Sequence, residues 1–122
     1  MMSSRPELFI LGVGKFIYDG SHSSGSTTTT CKTTIPVNVG NGGTAVLGYA
    51  AILLVGTQFS YGSATGAGVY LLRRCFDGNA PSVVKLSYDS GDTRLVEPTF
   101  STSEDGYLQI THNGLMNYRS FG

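Results

Sequence analysis

The sequence predicts an all-β domain, an antiparallel, jelly-roll-like β-sandwich of about seven or eight strands. Three observations carry that expectation. Asn-Gly or Asp-Gly occurs five times, at Asp19-Gly20, Asn41-Gly42, Asp77-Gly78, Asp105-Gly106 and Asn113-Gly114, and such dipeptides supply the positive φ values of tight hairpins. The runs between them are rich in β-branched and aromatic residues, which fit a pleated surface. The composition is 17 Gly, 14 Ser and 13 Thr with only 13% charged residues, against about a quarter in an average domain. A length of 122 residues fits one domain, expected over residues 8–122 behind a polar lead-in at residues 1–7.

The elements follow in order. Leu8–Tyr18 is the first strand, followed by an uncharged loop that starts at Ser21. Thr28–Val39 is β-branched throughout, and Pro36, which lacks an N–H, confines it to an edge or a bulge. Ala45–Phe59 is an apolar run broken by Gly48 and Gly56. Glycine costs about 1 kcal/mol relative to Ala within a helix, so a strand is the better reading. Gly62–Gly68 is a small-residue loop before a strand at Val69–Phe76. Strands at Val83–Tyr88, Arg94–Phe100, Tyr107–Thr111 and Leu115–Arg119 complete the chain.

The strand faces bear on assembly. Val83–Tyr88 alternates, with Val84, Leu86 and Tyr88 opposite Lys85 and Ser87, as a half-buried strand does. The run Ala45–Val55 is apolar on both faces, as is Leu8–Tyr18. One such face exceeds what a single sandwich buries, and a large apolar patch marks an interface. A homo-oligomer is expected, with Leu47, Tyr49, Leu53 and Val55 at the contact between subunits. The alternative is a monomer whose second face is covered by residues 23–30.

Several chemistries are disfavoured. Leu11-Gly12-Val13-Gly14-Lys15 lacks the spacing and the hydroxyl residue of a phosphate loop. Of the two histidines, His22 falls in a Ser/Gly loop and His112 beside a turn, poor settings for a triad base. Asp19, Asp77, Asp89, Asp92 and Asp105 belong to turns or their flanks for backbone reasons. Glu97 stands apart, mid-strand, with Arg94 or Arg119 as an expected partner. No Cys-x-x-Cys, His-x-His or calcium-loop spacing occurs, so no metal and no cofactor is expected. Cys31 and Cys75 read as two thiols, with a disulfide as the alternative. Eight basic and eight acidic residues leave no basic footprint for nucleic acid. Eleven apolar residues are too short to insert as a helix, which needs about 20. The start shows no secretory signal pattern.

What remains is recognition by loops on a rigid scaffold. Tyr61, Tyr88 and Tyr107 fall at strand ends among small polar residues, and tyrosine offers a flat ring with a polar tip. With their loop neighbours Asn79, Asp89 and Asp92 they are the expected receptor-binding residues. No catalytic residue is expected.

The opening strand Leu8-Phe9-Ile10-Leu11-Gly12-Val13-Gly14-Lys15, the apolar Thr44–Val55 strand and the closing Tyr107-Leu108-Gln109-Ile110-Thr111-His112-Asn113-Gly114 resemble the β-rich C-terminal tip domains of bacteriophage tail fibres and tailspikes. The resemblance is one of texture across most of the chain. It implies a homotrimer on the virion that binds a host-surface glycan or protein, or that sets the trimer register of a fibre. A stand-alone carbohydrate-binding module or lectin is the second reading, and a small glycan hydrolase the third.

Overall fold

A computed structural model describes residues 16–38, 49–75 and 81–121. Eight strands form among the described residues: β1 (Phe16–Ser23), β2 (Thr29–Pro36), β3 (Ala50–Gln58), β4 (Thr65–Arg73), β5 (Ser82–Ser90), β6 (Thr99–Thr102), β7 (Tyr107–His112) and β8 (Leu115–Phe121). They make two antiparallel sheets, one ordered β1-β8-β3-β4-β5 and the other β2-β7-β6. The sandwich architecture expected from the turn chemistry is therefore present, divided five and three. No helix among the described residues is long and apolar enough to cross a membrane.

The core lies between the sheets. Ala51, Leu53 and Val55 of β3, Tyr70 and Leu72 of β4, and Met116 and Tyr118 of β8 meet Ile35 and Val37 from β2 and its end, and Leu108 and Ile110 of β7. Alternate residues of a strand point to opposite faces, so each strand gives the core every second side chain. Full burial of a side chain such as Leu53 or Leu72 is worth about 1.5–3 kcal/mol. Tyr70 meets the Phe100 ring edge-on at 4.7 Å between centroids, joining the sheets across β4 and β6.

Pro36 acts as its chemistry requires. The strand β2 is an edge strand, and its register against β7 breaks between Lys32 and Pro36. Thr33 fills the break: its hydroxyl donates to the Leu108 carbonyl at 2.8 Å and accepts from the Ile35 N–H at 3.1 Å. The Asp105-Gly106 and Asn113-Gly114 turns are present, with φ of 87° and 73° at their glycines. Gly114 also admits no side chain, because a Cβ there would collide with the Gln58 carbonyl.

Other expectations are corrected. Asp19-Gly20 is no turn: β1 runs through it to Ser23, with Gly20 opposite Tyr118. Residues 65–68 belong to β4 rather than to a loop, whereas 94–98 lie outside any strand. The alternation read in Val83–Tyr88 is broken by a bulge, since Val69 faces Ser87 while Tyr70 faces Lys85, leaving Leu86 extra. Val84 and Leu86 are consequently exposed, at 42% and 55%. The Asn41-Gly42 and Asp77-Gly78 turns, the Leu11–Lys15 motif, most of the Leu8–Tyr18 strand and the 1–7 lead-in lie outside the described residues.

Candidate recognition surface

The outer face of the five-stranded sheet has two unlike halves. Strand register sets Phe121, Ile52, Leu71 and Val84 in one row across β8, β3, β4 and β5. The next row is Arg119, Leu54, Val69 and Ser87. Ile52 and Leu54 are each 38% exposed, and the bulged Leu86 adjoins them. In the next two rows the residues are mostly small or polar: Asn117, Gly56, Ala67 and Asp89, then Leu115, Gln58 and Thr65.

That polar half forms a shallow groove of about 680 Å³ whose walls carry the hydroxyls of Ser21, Ser23 and Thr65 and the amides of Gln58 and Asn117. Gly56 and Ala67 form a low floor, and among the described residues that line it none is a carboxylate, ammonium or guanidinium, while the exposed Asp89 lies outside the lining, opposite Ala67 in the register. Tyr61 stands at the rim, 90% exposed. The turn that presents it is well braced. Gln58 Nε2 donates to the Ser63 carbonyl at 2.7 Å, and the Ser63 hydroxyl donates to the Ser60 carbonyl at 2.7 Å while accepting from the Ser60 N–H at 3.0 Å. Gly62 takes the positive φ of 87° this turn needs.

A second braced segment borders the same end. Arg94 Nε and Nη2 donate to the two Asp92 carboxylate oxygens at 3.0 and 2.8 Å, and the Arg94 N–H adds 2.9 Å. These bonds hold the Asp92 carboxyl down at about 2. The Arg94 guanidinium also lies 4.4 Å from the centroid of Phe59. Asn113 secures the segment from below, its amide accepting from Val96 N–H and donating to the Arg94 carbonyl, both at 2.9 Å.

The expected receptor-binding residues are thereby separated. Tyr61 lies in the groove, and exposed Asp89 pairs with the floor residue Ala67. Asp92 serves the turn through Arg94. Tyr88 opposes Gly68 across the strands, and its hydroxyl is buried without a hydrogen bond. Tyr107 sits at the far end, where Lys32 Nζ lies 5.5 Å from its ring and pairs with Asp105 at 2.7 Å. Asn79 lies outside the described residues.

The interface expectation is altered too. Leu53 and Val55 are 0% and 2% exposed and belong to the subunit's own core; the outward side chains of β3 are Ile52 and Leu54. Sequence alternation identified the two faces but gave no sign of which one the second sheet covers. Tyr49 is 61% exposed, and Leu47 lies outside the described residues.

Glu97 pairs with Lys85 at 2.9 Å rather than with Arg94 or Arg119, beside a cavity of about 270 Å³ between β5 and residues 97–102. Arg73 and Arg74 diverge as alternate strand residues do, Arg73 exposed and Arg74 buried with Nε donating to the Pro36 carbonyl at 3.0 Å. Cys31 and Cys75 are both thiols.

The histidines differ most from expectation. His22 is a partly buried residue of β1, and His112 of β7 is 0% exposed. His22 Nδ1 lies 2.9 Å from His112 Nε2, and the rings meet edge-on at 5.1 Å. The Cys31 thiol is beside them, with one donor atom from each of the three residues within 4.8 Å of the others. Positions 22, 31 and 112 are too far apart in sequence for any spacing motif to reveal the cluster.

The described residues form a two-sheet β-sandwich whose larger sheet has an open outer face with two unlike halves. No family model matches the chain, and no curated protein matches it. Among solved structures it is similar to the tailspike protein of Acinetobacter phage vB_ApiP_P1, at 15% identity and a TM-score of 0.43. The match covers 88% of this chain and 20% of that one, so the chain spans a fifth of the tailspike's length.

Proposed function

We propose that the chain is a receptor-binding module of a viral tail fibre or tailspike that acts as a homotrimer and binds a neutral host-surface glycan. The observation that carries this reading is the division of one sheet face into an apolar half and an uncharged polar groove. The exposed apolar side chains Ile52, Leu54, Val84 and Leu86 are suited to contact another copy of the chain, and the number three follows from the resemblance to fibre tips. Hydroxyl and amide side chains over a low floor, with an aromatic ring at the rim, match the alternating polar and apolar faces of a saccharide. The absence of charge among the described lining residues favours a neutral sugar over an acidic one. Function is by binding, without turnover.

A glycan array probed with the intact chain and with Tyr61→Ala tests this. Binding to one class of neutral glycan, reduced at least tenfold by Tyr61→Ala, is expected. Binding unchanged by that substitution, or binding confined to sialylated or sulfated glycans, contradicts the groove. A monomer that keeps sugar affinity points instead to a stand-alone carbohydrate-binding module.

A further inference from the structure

We propose that His22, Cys31 and His112 form a binding site for one borderline-soft divalent transition-metal ion, of which Zn²⁺ is the representative. The three donors come from both sheets. His22 projects from β1 of the larger sheet, and Cys31 and His112 from the adjacent strands β2 and β7 of the smaller one. Cys31 faces Ile110 and His112 faces Thr29 in the register, so the two ligands are diagonal neighbours across the ladder. An ion held here would clamp one sheet to the other.

The distances suit a tetrahedral centre. Metal–nitrogen bonds of about 2.0–2.1 Å and a metal–sulfur bond of about 2.3 Å place donor atoms roughly 3.3–3.6 Å apart. The facing histidine nitrogens are at 2.9 Å and all three donors within 4.8 Å, so shifts of about an ångström close the site. The frame that carries them is tight: Gly114 N–H donates to the Gly25 carbonyl at 2.6 Å and Ser24 N–H to the Gly114 carbonyl at 2.9 Å.

The chemistry of the donors agrees. His112 is buried with its Nε2 facing His22 Nδ1, so both imidazoles present a nitrogen to the same point beside the Cys31 thiol. One thiolate with two imidazoles selects Zn²⁺ and its neighbours over Mg²⁺ or Ca²⁺. Binding replaces the Cys31 S–H bond by a sulfur–metal bond and releases that proton to solvent. His22 is only partly buried, so a water molecule is able to take the fourth position on its side of the site.

The test titrates chelator-treated full chain with Co²⁺, then with Zn²⁺. One equivalent of Co²⁺ should produce thiolate-to-metal charge-transfer absorption, and Zn²⁺ should abolish it and raise the melting temperature. Cys31→Ser should remove the charge-transfer band, His22→Gln should weaken affinity about tenfold or more, and Cys75→Ser should change neither. His22 is only partly buried, so its variant keeps the test informative where a change at Cys31 or His112 impairs folding. Absence of the band in the intact chain, its loss in Cys75→Ser, or unchanged Zn²⁺ affinity in His22→Gln would overturn the proposal.

Discussion

The ring of Tyr118 occupies the space in which a side chain at Gly20 would begin. A Cβ at position 20 would stand 2.5 Å from Tyr118 Oη, and that hydroxyl accepts the Thr34 N–H from the opposite sheet at 3.1 Å. Tyr118 can cross from β8 to β2 only because residue 20 has no side chain. Gly20→Ala should destabilise the fold by about 1–3 kcal/mol, as overpacking does. A shifted midpoint in urea with an unchanged slope would report this, and an unchanged midpoint would contradict it.

Acid should loosen the segment beside the groove. The hydrogen bonds from Arg94 hold the Asp92 carboxyl at about 2, below the roughly 3.9 of an unfolded chain. A depressed carboxyl contributes stability that is present above the unfolded value and is lost as pH falls through the folded one. The Asp92–Arg94 contact should therefore persist at pH 4 and be lost towards pH 2, with Asp92→Asn removing that dependence. Side-chain NMR titration reads it directly, and an Asp92 carboxyl titrating near 3.9 would count against the braced turn.

The groove floor allows a change that spares the fold. A Cβ on Gly56 would stand 2.8 Å from Asn117 Oδ1, the end of an exposed side chain that is able to swing aside. Gly56→Ala should leave thermal stability within about 0.5 kcal/mol, as surface substitutions do, while displacing the Asn117 amide and lowering glycan affinity severalfold. Full affinity in this variant would remove Asn117 from the binding surface.

Neighbouring leucines on β3 should respond differently. Leu53 is enclosed in the core, so Leu53→Ala should cost about 2–5 kcal/mol of subunit stability. Leu54, on the outward face, should cost far less in the subunit while weakening association. Chemical denaturation at low and high protein concentration separates the two effects.

Much of the architecture was legible in the sequence because its determinants are local. Asp105-Gly106 and Asn113-Gly114 carry their turn geometry in two residues, and Pro36 marks the bulged edge by lacking a donor. Asp19-Gly20 misled because its glycine answers to the ring of Tyr118, nearly a hundred positions away. The Val83–Tyr88 pattern was disturbed by the bulge at Leu86, which depends on pairing with β4. Tyr61 was found as an exposed aromatic in a turn, whereas the groove it borders is assembled from strands distant in sequence. The His22–Cys31–His112 cluster had no local signature at all, since only the apposition of the two sheets brings it together.

In the proposed assembly, other copies of the chain cover the exposed apolar side chains of the outer sheet face. Sedimentation equilibrium at low micromolar concentration tests it most directly, comparing the intact chain with an Ile52→Lys, Leu54→Lys variant. Three times the 12.9 kDa chain mass is expected for the intact chain and a folded monomer for the variant. An intact chain that sediments as a monomer, or a variant that remains trimeric, would contradict it.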